Sequence, residues 1–83
     1  FLSAAYRHGI RTMLVLFDSC WDPHPAPGPQ PAPRPGIHNS GWVQSPGIKA
    51  LADRAEHDRL EAYVRGVVSR FGKDSRVLVW DIW

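Results

Sequence analysis

The chain has 83 residues, 43% of them apolar, with a formal charge of +2. That apolar share excludes disorder throughout, and basic residues scattered among acidic ones exclude the clustered cationic face of a nucleic-acid binder. No apolar run approaches the roughly 20 residues of a membrane span, and the single cysteine, Cys20, excludes an internal disulfide and a cysteine-based zinc site.

Residues 1–8 carry Phe1, Leu2, Ala5 and Tyr6 at helical spacing, so the chain opens on the last turns of a helix. Gly9 falls where a left-handed cap closes it. Residues 10–17 follow, with Met13 to Phe17 continuously apolar between Gly9 and the polar pair Asp18-Ser19. So short an unbroken run predicts a strand covered on both faces, as in a parallel sheet; a buried helix is the competing solution.

Residues 18–52 form a long irregular stretch that holds all eight prolines. From Pro23 to Gly36 proline alternates with small or polar residues, which removes backbone donors and bars helix or central strand. Such a run suits a polyproline-like linker. Yet it is bracketed by Trp21 and Trp42 and accompanied by Asp18, Asp22, His38, Asn39 and Gln44, the composition of a binding or lid loop.

Asp53 then opens a helix over residues 53–71. Glu56 stands three residues on, a capping box in which Asp53 accepts from first-turn amides and Glu56 reaches back. Leu60, Val64, Val67, Val68 and Phe71 make one apolar stripe, and Gly72 with Lys73 closes the helix. Asp74-Ser75 turns into a final strand, residues 76–83. Two apolar strands joined by a helix form a βαβ unit. The long loop leaves the C-terminal end of the first strand, the edge where α/β folds assemble their sites. A start within a helix and a stop at Trp83 within a strand lead us to expect a piece of a larger protein. No signal peptide is visible, and no localisation or oligomeric state follows from the residues.

The segment Val77-Leu78-Val79-Trp80-Asp81-Ile82-Trp83 resembles the fourth barrel strand of clan A glycoside hydrolases, which runs apolar-apolar-x-Trp-(Asp/Glu)-apolar-x and continues into Asn-Glu-Pro. Arg7 to Leu16 is similar to the passage into their third strand. Gly36-Ile37-His38-Asn39-Ser40-Gly41-Trp42-Val43-Gln44-Ser45-Pro46-Gly47 resembles a cellulase-like bacterial subgroup with a long third loop. The likeness covers essentially the whole chain. It implies an α/β fold, part of a (β/α)8 barrel, and a retaining O-glycosyl hydrolase of cellulase, mannanase or xylanase type that cleaves β-glycosidic bonds and needs no cofactor. In the family the acid/base glutamate lies in the Asn-Glu-Pro that would follow Trp83, and the nucleophile lies on a later strand. Retention requires two carboxyls about 5–5.5 Å apart. These residues hold neither, so they are expected to be inactive alone, with no catalytic residue among them.

With a carbohydrate as the expected partner, Trp21, Trp42 and Trp83 are candidate stacking platforms for sugar rings, or else plugs of the loop onto the rim. His38 and Asn39 are candidates to bind sugar hydroxyls, or to stabilise the loop. If Trp83 points into the barrel, strand alternation sends Asp81 and Val79 with it and Trp80 and Ile82 towards the helices. Asp81 would then hold neighbouring side chains beneath the catalytic glutamate. Asp18 ends the first strand, where it would meet substrate, orient a catalytic partner or cap the loop. Cys20, Asp22, His24 and His38 lack the paired spacings of a metal site. Two other readings compete: a non-enzymatic segment whose prolines are a ligand for aromatic-groove domains, with Arg34 as its basic anchor, and a different α/β-barrel or open-sheet enzyme.

Overall fold

Gly9 ends the first helix as its spacing predicts, and the backbone shows why. In the computed structural model, which describes residues 1–26 and 28–83, α1 spans Leu2–Arg7 and Gly9 takes φ +73°. Pro27, one proline of the alternating run, lies outside the described residues. The Gly9 amide donates to the Tyr6 carbonyl and the Ile10 amide to the Ala5 carbonyl, both at 3.0 Å. These paired bonds satisfy the last carbonyls of a helix closed by a left-handed residue.

Strand β1 (Thr12–Val15) pairs in parallel with β2 (Val77–Asp81), shorter than the predicted spans 10–17 and 76–83. Thr12 pairs with Val77, but Met13 pairs with Val79, so Leu78 is an extra residue on β2. Such a bulge releases a side chain from the ladder, and Leu78 is 67% exposed. Leu14 then pairs with Trp80 and Val15 with Asp81, and the Leu16 amide extends the ladder to the Asp81 carbonyl at 2.8 Å. The parallel pair joined by helix makes this a mixed α/β chain.

Coverage of β1 differs from the expectation. Thr12 and Leu14 are half-buried and Leu16 is buried, while Met13 and Val15 between them are exposed. The strand is covered on one face, not both, because two strands joined by one long helix supply one covering layer.

The long stretch is not irregular to its end, since Ile48–Ala52 form a short helix, α2. Asp53 follows in extended conformation (φ −89°, ψ 112°), and α3 spans Arg54–Phe71. Asp53 therefore ends one helix and starts the next. Its Oδ1 accepts from the Ala55 amide at 2.9 Å, the predicted half of the capping box. The other half does not form. The Asp53 amide already donates to the Lys49 carbonyl at 3.0 Å, which leaves Glu56 free to take Arg59 Nε at 2.6 Å and Nη2 at 2.5 Å.

The apolar stripe of α3 also shifts. Leu60, Val64, Val67 and Phe71 are half-buried, but Val68 is 42% exposed. At about 100° per residue Val68 lies about 80° from Leu60, at the edge of the stripe. On the opposite edge Tyr63 makes the contact: its hydroxyl donates to the Leu16 carbonyl at 3.3 Å, and its ring lies 5.8 Å from that of Phe17.

Arg76 ties the elements together at the other end of the sheet. Its guanidinium grips the Asp74 carboxylate through Nε (2.8 and 3.1 Å) and Nη2 (2.5 Å), and Nη1 donates to Ser3 Oγ on α1 at 2.6 Å. The Arg76 carbonyl accepts from the Thr12 amide at 3.0 Å. Its guanidinium and amide hold the Asp74 carboxyl at about 2, below the ordinary 3.8. A lowered carboxylate pKa contributes above the ordinary value and is lost as pH falls through the lowered one. We therefore expect the Asp74 carboxyl carbon to titrate near 2 by NMR and the turn to loosen between about pH 4 and pH 2. Arg76→Ala should return the midpoint towards the ordinary value; a wild-type midpoint already there would remove the ion pair from the fold.

The arrangement is open. Leu16, 7% exposed, is the buried apolar side chain of the described residues. The accessible surface is 6619 Å² where a compact monomer of 9.3 kDa has about 5,000 Å². The radius of gyration is 15.3 Å against about 12 Å for a compact domain of this length. The 83 residues alone should therefore melt without a cooperative transition and bind hydrophobic dyes. A sharp calorimetric transition from a purified monomer, with dispersed amide resonances, would contradict this.

Candidate carbohydrate cleft in the long loop

Residues 18–47 are not a free linker, because the stretch closes on its own stem. The Asp18 amide donates to the Ser45 carbonyl at 2.9 Å and the Ser45 amide to the Asp18 carbonyl at 3.1 Å. The Gln44 amide reaches the Asp22 carbonyl at 2.8 Å, and its side-chain amide donates to the Ser19 carbonyl. Gly47 is buried at φ +90°, and a Cβ there would collide with the Pro25 ring, so this close approach requires glycine.

Asp18 organises what the stem presents. Its Oδ1 accepts from the Cys20 amide and its Oδ2 from the Trp21 indole N–H, both at 2.7 Å. Among its expected roles, the contacts are those of a loop cap that also fixes an aromatic ring. The Trp42 ring meets the Trp21 ring edge-on, with centroids 4.7 Å apart at 72°, a favourable aromatic geometry.

A second inner turn completes the wall. The Arg34 amide donates to Ser40 Oγ at 2.6 Å, and that hydroxyl donates to the Arg34 carbonyl at 3.3 Å. Asn39 adopts φ +56°, and its carbonyl accepts from the Trp42 amide at 3.0 Å, a tight turn that sets Trp42 beside Trp21. Residues 31–33 run close behind: a Cβ on Gly41 would lie 2.9 Å from the Pro31 carbonyl oxygen.

Trp21, Asp22, Arg34, His38, Asn39 and Trp42 thereby line one cleft of about 470 Å³. Four of the five residues expected to meet sugar, Trp21, His38, Asn39 and Trp42, share it. Trp83 does not; it lies beyond the end of β2, 54% exposed, with its amide donating to Asp81 Oδ1 at 3.2 Å. Asp81 is half-buried and turns its carboxylate to that amide. Because the strands are parallel, Asp18 and Asp81 both stand at the C-terminal edge of the sheet. A larger hollow of about 580 Å³ lies between Pro23–Ala26 and the helices, beside His24, Lys49, Glu56 and Arg59, and its lining has no tryptophan.

The sequence reading missed Arg34 as a cleft residue, weighing it only as the anchor of a proline ligand. Its signal was its place as the lone Lys or Arg between Arg11 and Lys49, within the segment bracketed by the tryptophans.

Comparison with family models, with curated proteins and with solved structures returned no match.

Asp18→Ala should free the Trp21 indole and separate the aromatic pair. Near-UV circular dichroism from the tryptophans should fall while the far-UV helical signal stays. An unchanged near-UV spectrum would show that the pair does not depend on Asp18.

Proposed function

We propose that these residues belong to a (β/α)8-barrel glycoside hydrolase, an enzyme that cleaves β-glycosidic bonds with retention, and that the loop from Asp18 to Ala52 is one wall of its sugar cleft. The observation that carries this reading is the convergence of Trp21, His38, Asn39 and Trp42 on one cleft. Flat rings cover the apolar faces of a pyranose, and neighbouring imidazole and amide groups suit its hydroxyls. The resemblance of the strand ends and the parallel β–loop–helix–β order support the same reading.

The loop's contribution in this proposal is binding and orientation. The chain's two glutamates, Glu56 and Glu61, lie on α3 and pair with Arg59 and Arg65. Acid/base and nucleophile carboxyls are accordingly assigned to residues outside these 83. Trp42 is 55% exposed and edge-on to Trp21, so one ring face is available to a sugar while Asp18 holds its neighbour in place.

Trp42→Ala in the full-length enzyme should lower kcat/KM on its β-linked oligosaccharide by roughly 1–3 kcal/mol, the scale of a lost aromatic contact. Unchanged kinetics, with the loop still ordered by near-UV circular dichroism, would assign Trp42 to packing.

A further inference from the structure

Arg34 lines the cleft from a backbone tied to Ser40 and Ile37. Pro33 and Pro35 flank it and fix their own φ angles. Ser40 Oγ bridges its amide and carbonyl, and the carbonyl also accepts from the Ile37 amide at 3.2 Å. A backbone held this way loses less freedom on binding than that of a mobile loop.

The donor set of the cleft is asymmetric. Asp22 offers acceptors, with Oδ1 already taking the His24 amide at 3.0 Å. Asn39 offers both kinds of group, and Arg34 offers donors only. A neutral sugar hydroxyl is served by Asn39 and the second Asp22 oxygen. A guanidinium differs from these in being planar, always charged and forked to match a carboxylate through two parallel hydrogen bonds.

Resting on the glycoside reading above, we propose that the cleft selects an acidic sugar, a uronic-acid residue whose ring carboxylate pairs with Arg34 while the ring lies against Trp42. The aromatic wall and the arginine belong to one cleft of about 470 Å³, roomy enough for a sugar ring with its substituents. The carboxylate belongs to the glycan and not to a free organic acid, because the rings supply the contact that an acid without a pyranose lacks.

The test is calorimetric titration of the full-length protein with three probes: a β-linked glucuronate-bearing xylo-oligosaccharide, its undecorated counterpart, and free glucuronic acid. The glucuronate-bearing oligosaccharide should bind about tenfold or more tighter than the undecorated one, the range of a hydrogen bond to a charged group. Arg34→Gln should abolish that preference, weakening the glucuronate-bearing oligosaccharide by more than the undecorated one, and Trp42→Ala should weaken both. Arg34 is exposed, so the variant should keep the near-UV spectrum of the tryptophan pair. Equal binding of the two oligosaccharides, unmoved by Arg34→Gln but weakened by Trp42→Ala, would overturn the acidic-sugar inference and leave the glycoside cleft standing. Binding of free glucuronic acid as tight as that of the oligosaccharide, or of none of the probes, would overturn it too.

Discussion

The two-way hydrogen bond between Asp18 and Ser45 is the constraint on which the site depends. It turns a long excursion from the end of β1 into a closed loop with a stem. Closing a long loop is entropically unfavourable, though each doubling of length adds only about 0.6 kcal/mol. Proline lowers the freedom the open chain would otherwise have, and seven of the chain's eight prolines lie between Asp18 and Ser45. The composition that suggests a linker thus also suits a rigid, closed loop. Once the stem is shut, the Asp18 carboxylate can hold Trp21, and the turn at Asn39 can bring Trp42 against it.

The sheet beneath is less self-sufficient than the loop. Met13 and Val79 are register partners, and with Val15 they leave apolar surface in water. Parallel strands ordinarily have both faces covered. In the proposed barrel that covering comes from further strands, and the exposed face becomes interior. The Arg76 cluster and the Tyr63 contact hold opposite ends of the parallel pair in place. They fix geometry more than they bury surface, since ion pairs near the surface contribute little to stability.

Much of the architecture was legible because it is local or periodic. The left-handed cap at Gly9, the cap at Asp53 and the stripe from Leu60 to Phe71 follow from spacing, and parallel pairing follows from two apolar runs joined by a helix. What failed depended on neighbours. Glu56 turned to Arg59 because α2, unseen in the sequence, had already satisfied the Asp53 amide. Val68 and Tyr63 both sit at the margins of one stripe and both stay exposed, at 42% and 45%, and only the position of Leu16 and Phe17 gives Tyr63 its contact. In the site, aromatic and amide residues were recognisable by type, but their convergence required the closure at Ser45. Trp83 shared the chemistry of the others without sharing their place, and Arg34 shared the place without having been marked for it.

The proposal that the closed loop presents Trp21 and Trp42 as a sugar-binding wall is tested most directly by following the indole N–H resonances of the protein during titration with a β-linked oligosaccharide. The Trp21 and Trp42 resonances should move together and saturably while that of Trp80, paired to Leu14 within the sheet, stays in place. Saturable binding that leaves both cleft indoles unmoved would contradict it.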